Sequence, residues 1–253
     1  MPGWQRESPR PPRNYEEFVQ RLKEIKQMGY IRTHRRGPTG IGKTLEDILG
    51  IEEDILGIEE NNVPGPDAVL IELKSARKGS KSMMTLITKA PSPRGANTKL
   101  LQRFGYEVPP RSGKVLHITL NPPGSWTNVK GKPVFRLDLA NDKIKIVSKT
   151  GEVLAFWNEE ILRKAFEKKF PALVYVKADC RGEGLNEEFW YNEAWLLKGF
   201  NFEGIKDLIR KNIIRIDIRI GQYPNGRTHD HGTGFRVFED KLDLCFKERK
   251  AIV

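Results

Sequence analysis

Short apolar runs bounded by turn residues recur along most of this chain, and their spacing restricts the folds open to it. Ile213–Ile220 (IIRIDIRI) alternates, which predicts a strand with one buried face. Ala172–Ala178 (ALVYVKA) is largely apolar, as in a buried strand. Helices are predicted after Asn14 and between Asn158 and Pro171. Because strands and helices do not alternate regularly, the sequence predicts a mixed α/β fold and not a doubly wound sheet.

The composition indicates a globular chain with a polyanionic partner. The 253 residues carry 44 Lys and Arg against 33 Asp and Glu, a net charge of +11. Such a surplus is typical of nucleic-acid-binding proteins, with a merely basic surface as the alternative. No apolar run approaches the roughly 18–20 residues that span a bilayer, and the first 18 residues lack the apolar core that a signal peptide has. We therefore expect a cytoplasmic protein without a membrane partner, with Cys180 and Cys245 reduced.

Gly37–Thr44 (GPTGIGKT) matches the P-loop pattern, in which backbone amides cradle nucleotide phosphates. A P-loop follows a buried strand that runs directly into its first glycine. Here the preceding residues, Thr33–Arg36, are polar and basic. A P-loop ATPase is therefore a weak alternative. The favoured interpretation is a flexible glycine loop that leads into a helix capped by Thr44.

A stronger pattern lies in Gly65–Ser80 (GPDAVLIELKSARKGS). Period-two geometry places Glu72 and Lys74 on the same face of a predicted strand, and Asp67 precedes that strand. Two neighbouring carboxylates can hold a hard cation such as Mg²⁺, and a lysine beside them can orient an attacking water. The alternative is an edge strand with a solvated Glu-Lys pair, but the apolar strand and the basic residues after it favour a phosphodiester-cleaving site.

Three long blocks carry a family resemblance: GIGKTLEDILGIEENN, SPRGANTKLLQRFGY and IDIRIGQYPNGRTHDHGTGFRV. Together with GPD and ELKS they resemble the MvaI/BcnI group of type II restriction endonucleases, which are MutH-like members of the PD-(D/E)XK nuclease superfamily. The resemblance runs from about Tyr15 to the C-terminus. It implies a PD-(D/E)XK core with an elaborated DNA-recognition subdomain.

The resemblance also implies an activity, namely Mg²⁺-dependent hydrolysis of double-stranded DNA, with Mn²⁺ as a substitute cation. Such enzymes act as monomers that nick one strand and then the other at a short CC-N-GG-type site, and a DNA methyltransferase is their genetic partner. Asp67 and Glu72 would be the metal ligands and Lys74 would position the water. Two alternatives remain, a MutH-like mismatch-repair nicking endonuclease and a catalytically inactive DNA-binding protein.

The same resemblance suggests how the chain is divided. Residues 1–13, rich in Pro and Arg, are expected to form a mobile tail. Residues 14–110 would be mainly catalytic and residues 111–253 mainly concerned with DNA recognition, with strands interleaved across a soft boundary.

A heptapeptide, EDILGIE, occurs twice in succession, at Glu46–Glu52 and Glu53–Glu59. The family uses a glutamate on the helix before the catalytic Asp, and both Glu46 and Glu53 fit that description. On a continuous helix the two side chains would lie about 10 Å apart, so only one could reach the metal. Since Gly50 is a natural helix stop, Glu46 is favoured.

Two polar segments are candidates for DNA contact. Asp217 and Arg219 alternate on one strand face, which suits recognition of a G·C pair, with a cross-strand ion pair as the alternative. Further base-reading candidates lie in or beside a glycine-flanked loop, and they are Asp230, His231 and Arg236. The remaining candidates are predicted to contact phosphates or enter a groove, and they are Lys78, Arg94, Asn97, Lys99 and Arg103.

Overall fold

The computed structural model describes residues 9–35, 37, 39–51, 55–56, 71–110 and 112–253. Five α-helices lie in these residues: α1 (Tyr15–Gln27), α2 (Gly40–Leu49), α3 (Ala96–Phe104), α4 (Glu159–Lys169) and α5 (Ile205–Arg210). The Asn14 side chain accepts from Glu17 N at 2.8 Å, so the predicted N-cap of α1 is confirmed. No helix in the described residues is long and apolar enough to cross a membrane.

Sixteen strands run through the described residues, and with the helices they confirm the mixed α/β prediction. They are β1 (Ile31–Arg32), β2 (Ile55–Leu56), β3 (Ile71–Arg77), β4 (Met83–Thr88), β5 (Tyr106–Glu107), β6 (Lys114–Thr119), β7 (Thr127–Val129), β8 (Lys132–Asp138), β9 (Lys143–Ser148), β10 (Val153–Asn158), β11 (Ala172–Arg181), β12 (Glu188–Phe200), β13 (Ile214–Gln222), β14 (Thr228–Asp230), β15 (Gly234–Phe238) and β16 (Phe246–Ala251). Two short 3-10 helices cover Gly184–Asn186 and Glu239–Cys245.

The chain divides into two compact units, each assembled from separated segments. The first unit comprises Met1–Ser80, Lys168–Phe200 and Phe246–Val253, and the second comprises Lys81–Glu167 and Asn201–Cys245. These limits differ from the predicted division at residue 110, because β11, β12 and β16 complete the sheet that contains β3. The catalytic and DNA-reading roles given to the two parts stay predictions.

The first unit is built on a sheet in the order β1-β12-β11-β3-β2, with β16 also paired to β12. β11 runs parallel to β3 and antiparallel to β12. Helices α1 and α2 supply Phe18, Leu22 and Leu45 to one core with Leu73 and Val174 of the sheet. Leu73 of β3 therefore faces the helices. Period-two alternation places its neighbours, Glu72 and Lys74, on the opposite face of the strand.

The second unit contains two sheets, in the orders β10-β9-β8-β7 and β4-β15-β13-β6-β5, with β14 also paired to β13. The isoleucines of β13 are fully buried, as its alternation predicts. Phe235 of β15 packs edge-on against Trp157 and Phe166, with ring centroids 5.6 Å and 6.1 Å away. Trp157 Nε1 donates to Lys89 O at 2.8 Å, so its polar atom is satisfied inside this core.

The GPTGIGKT segment does not have P-loop geometry. Gly40–Thr44 lie within α2 itself, and the preceding strand β1 is a two-residue strand that pairs antiparallel with β12. A P-loop requires a buried strand that leads directly into a phosphate-wrapping turn. The GPTGIGKT segment therefore gives the P-loop ATPase alternative no structural support. The prediction that Thr44 caps the helix is also wrong, since α2 begins at Gly40 after Thr39 and the Thr44 hydroxyl lies 2.7 Å from the Thr33 hydroxyl.

Residues 9–13 belong to the segment predicted as a mobile tail, yet they make defined contacts. Arg21 Nη1 donates to Arg10 O at 2.5 Å, and Pro12 is buried. Pro9 O lies where a side chain on Gly50 would project. Residues 9–13 therefore lie against α1 and the end of α2 within the first unit, and residues 1–8 of the predicted tail lie outside the described residues.

Candidate functional site

Strand β3 brings Glu72 and Lys74 together, as the sequence predicted. Lys74 Nζ lies 2.7 Å from Glu72 Oε1. Glu72 is only 2% exposed. Since a carboxylate at this depth is costly unless it is paired, Lys74 compensates its charge. Glu72 is buried, Lys74 is only partly exposed and β3 is an inner strand of its sheet, so the alternative of a solvated pair on an edge strand is wrong.

A second lysine reaches the same carboxylate. Lys169, the last residue of α4, has its Nζ 3.3 Å from Glu72 Oε1. The Lys169 side chain is 35% exposed, so part of it contacts water. Glu72 Oε1 is therefore flanked by two ammonium groups, which come from segments almost a hundred residues apart.

Helix α2 positions Glu46 at this end of β3. Glu46 is buried, and its Oε2 lies 2.5 Å from Lys43 Nζ. Tyr191 anchors α2, because its hydroxyl donates to Ile41 O at 2.7 Å. Burial raises the pKa of the Tyr191 phenol above its usual value, so the hydroxyl stays a donor at all physiological pH values.

The helix that carries Glu46 ends before the second heptapeptide begins. Gly50 takes the left-handed conformation (φ 70°) at the C-cap, and Ile51 N donates to Glu46 O at 2.9 Å. Ile55 and Leu56 of the second copy form β2, which pairs with β3 opposite Glu72 and Ile71. Ile48 and Leu49 of the first copy are therefore helical, whereas the equivalent Ile55 and Leu56 of the second copy are in a strand. Glu53, the other candidate for the helix glutamate, lies outside the described residues.

A pocket of about 280 Å³ lies beside the N-terminal half of α2. Lys43, Glu46, Lys74 and Ser75 contribute its polar lining. A Cβ on Gly42 would lie 3.7 Å from both Glu46 Oε1 and Ser75 Oγ, so Gly42 lies close to both polar groups. Lys74 therefore lines the pocket with Glu46 and also contacts Glu72.

Only one of the two side chains predicted to bind a divalent cation lies in the described residues. Glu72 supplies a buried carboxylate, the ligand type that Mg²⁺ prefers. Asp67, its predicted partner, lies outside the described residues. No group of three or more His, Cys, Asp or Glu side chains suited to a metal occurs in the described parts of the chain. The Oε1 atom of Glu72 is buried without a hydrogen bond from the described residues, as an atom that receives a cation would be. Asp67 and the cation remain predictions.

Lys78, predicted to contact phosphate, lies among acidic side chains of the same unit. Its Nζ is 3.5 Å from Asp179 Oδ2 and 3.7 Å from Glu193 Oε2. These distances are long for ion pairs with a half-exposed lysine, and such pairs contribute little stability. Lys78 can therefore exchange these partners for another anion.

In the second unit, Asp217 is paired with Arg236 and not primarily with Arg219. Arg236 Nη1 donates to Asp217 Oδ2 at 2.6 Å, whereas Arg219 Nη2 lies 3.5 Å from the same oxygen. Thr119 donates to the other oxygen, Oδ1, at 2.6 Å. For Asp217 the structure therefore has the cross-strand ion pair that the sequence left as an alternative. Because Asp217 is buried and both of its oxygens are engaged, we interpret it as an anchor for Arg236.

Three of the predicted base-reading residues meet at one open pocket of about 410 Å³. Arg219, His231 and Arg236 line it, and the Arg219 side chain is 49% exposed. The sequence did not single out three other lining residues, Thr85, Thr88 and His117. His117 lies opposite Arg219 in the β6–β13 pairing, so the two side chains are cross-strand neighbours.

Asp230 and Asn97 hold the loop that carries His231. Asn97 Nδ2 donates to Asp230 Oδ2 at 2.8 Å and to Thr233 Oγ1 at 3.2 Å. Asp230 Oδ1 accepts from Gly232 N at 2.8 Å, which closes an Asx turn. Asn97 is buried, so its predicted role as a phosphate contact is wrong in this structure, where it fixes the loop to α3.

The other predicted phosphate contacts lie on the surface of the second unit. Arg94 and Lys99 are exposed at the start of α3. Arg103, at the end of the same helix, forms an exposed ion pair with Glu152 at 2.5 Å. An exposed pair of this kind is weak, so Arg103 remains accessible to a stronger anion.

The comparisons with known proteins identify the family. The model of the MvaI/BcnI restriction endonuclease family matches residues 19–246. The chain belongs to this family. Its fold is similar to the restriction endonuclease MvaI–cognate DNA substrate complex, at 31% sequence identity and a TM-score of 0.75, over 94% of this chain and 98% of that chain. MvaI in the absence of DNA is similar at 32% identity and a TM-score of 0.56, over 93% and 96% of the two chains.

No curated protein matches the chain. Membership of a restriction endonuclease family makes the chain a site-specific DNA endonuclease, as its sequence blocks implied. The likeness to MvaI confirms the predicted restriction-endonuclease-like fold.

Two residues that the sequence did not single out contribute to the sites of this family member. Lys169 follows no motif, since it is one of several charged residues in α4. His117 lies in KVLHIT, where period-two geometry puts it on the same face as Val115 and Thr119. That pattern gives no functional signal, and only the pairing with β13 places His117 beside Arg219.

Proposed function

We propose that this endonuclease hydrolyses phosphodiester bonds of double-stranded DNA at a short, nearly palindromic CC-N-GG-type site, with Mg²⁺ as its cofactor. We further propose that it acts as a monomer that nicks each strand in turn. The observation that carries the proposal is the buried Glu72 carboxylate paired with Lys74 on β3, in a chain of a restriction endonuclease family. A DNA methyltransferase of the same specificity is the expected genetic partner.

The catalytic roles follow from the chemistry of the side chains. Asp67 and Glu72 would hold the cation, which when bound would neutralise charge on the scissile phosphate. The Lys74 ammonium group would orient the attacking water and stabilise the negative charge that develops on the phosphate oxygens. Glu46, which lines a pocket with Lys74, is the proposed helix glutamate of the family.

The DNA-reading roles are proposed for the second unit. Arg236 is held by Asp217, so its guanidinium is fixed in direction before any ligand binds. Arg219 is more exposed and can make the bidentate contact to guanine O6 and N7 that arginine favours. His231 lies on the same pocket and can donate or accept at a base edge.

Four basic residues are proposed phosphate contacts, which position the protein without specifying sequence. They are Lys78 of the first unit and Arg94, Lys99 and Arg103 of the second.

Cleavage of a plasmid of known sequence tests the proposal. We expect discrete fragments in the presence of Mg²⁺ and none with a chelator, and sequencing of the ends gives the site and the cleavage position. An open-circular product should accumulate before the linear one, since a monomer has one active site. Lys74→Met is expected to slow cleavage by at least about 100-fold while its DNA binding stays within a few-fold of wild type.

The outcome of the same experiment separates the alternatives. A MutH-like nicking enzyme would stop at the open-circular product and would need an activating partner. A wild-type protein that binds the plasmid without cutting it would be a catalytically inactive DNA-binding protein. Random smears would contradict site-specific cleavage.

A further inference from the structure

Glu72 has more positive charge around it than one buried carboxylate requires. Lys74 and Lys169 both lie at its Oε1 atom, at 2.7 Å and 3.3 Å. Together the three side chains carry a net charge of +1. Lys74 already supplies one compensating charge, and Oε1 is buried without a hydrogen bond of normal geometry from the described residues, so Lys169 adds a positive charge in excess of the carboxylate.

The two lysines differ in their ability to leave. The Lys74 side chain is more deeply buried than that of Lys169, and its contact with the carboxylate is shorter. A long lysine side chain near the surface can move its ammonium group into water at a small cost, while its methylene groups stay packed. Lys169 is therefore the partner that can be displaced when another cation approaches Glu72.

We infer that Lys169 is a positioning residue that holds Glu72 in the metal-free protein and competes with the divalent cation for it, so that it sets the cation concentration at which the site fills. The inference rests on the proposed role of Glu72 as a metal ligand. Two effects act in the same direction. The Lys169 ammonium group stabilises the metal-free state by pairing with the carboxylate, and it repels a dication in the same place.

Removal of this charge should strengthen cation binding. Lys169→Met retains most of the side-chain volume and removes the ammonium group, whereas Lys169→Arg retains the charge. Lys168→Met is a matched control, because Lys168 is the adjacent residue of α4 and its side chain is exposed. All are measured on the full chain without DNA, by calorimetric titration with Mg²⁺ and with Mn²⁺.

For Lys169→Met we expect a dissociation constant for Mg²⁺ about fivefold lower than that of wild type, the size of one partly exposed charge interaction. Lys169→Arg should stay within about twofold, and Lys168→Met should not differ from wild type. Cleavage by Lys169→Met should reach half its maximal rate at a correspondingly lower Mg²⁺ concentration. A structural role alone would lower stability without moving either Mg²⁺ dependence.

The inference is overturned if Lys169→Met binds Mg²⁺ equally or more weakly, or if Lys168→Met binds it more tightly to the same extent. It is also overturned if wild type takes up no Mg²⁺ at millimolar concentrations. If Lys169→Met does not fold by circular dichroism, Lys169→Gln takes its place with the same expectations. If only the proposed function is wrong, wild type and the variants still bind Mg²⁺ in the expected order of affinity, but wild type does not cut the plasmid.

Discussion

Arg236 Nη1 donates to Asp217 Oδ2 at 2.6 Å, and this bond joins β15 to β13 beneath the pocket that Arg219 and His231 line. Arg236 also donates through Nη2 to Met83 O of β4, so one guanidinium links three strands. The Arg236 side chain is 12% exposed, so this arginine is part of the framework as well as of the pocket surface.

Arg236→Met is expected to lower the free energy of unfolding by about 3–5 kcal/mol, because it leaves the Asp217 carboxylate buried without its partner. Arg219→Met should change it by less than about 0.5 kcal/mol, since Arg219 is exposed and 3.5 Å from the same oxygen. Chemical denaturation measures both. Arg219→Met should still reduce cleavage at the cognate site by about tenfold to 100-fold, which is the effect of losing one bidentate base contact. Equal losses of stability in the two variants would contradict the framework role of Arg236.

Asn97→Ala is expected to destabilise the protein by about 1–3 kcal/mol, because Asp230 and Thr233 lose a buried hydrogen-bond partner. The loop that carries His231 should become mobile, and hydrogen exchange of residues 230–233 should accelerate. Lys99→Ala, on the exposed side of α3, is the control and should leave both measurements unchanged. Unchanged loop exchange in Asn97→Ala would show that this contact does not hold the loop.

Glu46→Ala is expected to slow cleavage by roughly 10- to 100-fold, the usual effect of removing a group that orients the ligands of a metal site. Glu53→Ala should cleave like wild type, since the helix that carries Glu46 ends at Gly50. Single-turnover rates at saturating Mg²⁺ make the comparison. If Glu46→Ala cleaves normally and Glu53→Ala does not, the second copy of the heptapeptide supplies the helix glutamate.

Gly50→Ala and Gly79→Ala separate backbone strain from steric conflict. Both glycines have φ near +70°, which costs an L-residue about 1–2 kcal/mol. A Cβ on Gly50 would lie 1.6 Å from Pro9 O, whereas one on Gly79 meets nothing within 4 Å. Thermal unfolding should therefore show a clearly larger decrease in Tm for Gly50→Ala. A similar decrease in both variants would mean that residues 9–13 move away from Gly50 at little cost in free energy.

The two thiols are expected to differ in reactivity. Burial raises the pKa of Cys245 to about 12, so this thiol stays protonated and shielded at neutral pH. Burial also raises the pKa of Cys180, but Cys180 is exposed. A thiol reagent at pH 7.5 should label one cysteine of the native protein and two in denaturant, and Cys180→Ser should abolish the native signal. Labelling of native Cys180→Ser would contradict the burial of Cys245.

The sequence by itself determined the local features of this protein. Period-two alternation placed Glu72 and Lys74 on one face of β3, and Asn14 and Gly50 marked the ends of helices, because these signals depend on neighbouring residues. The long blocks identified the family and with it the fold. GPTGIGKT matches a P-loop only if the preceding segment is ignored, because Thr33–Arg36 are polar and basic and a P-loop follows a buried strand.

Only the tertiary structure decided which distant side chains meet. Lys169 precedes β11 in the chain and reaches Glu72 because β11 pairs with β3, and the pairing of β13 with β15 turned Asp217 towards Arg236. Asn97 became buried because its helix packs against the loop at Asp230. Contacts of this kind leave no periodic pattern in a single sequence, since each depends on how strands far apart along the chain are ordered within a sheet.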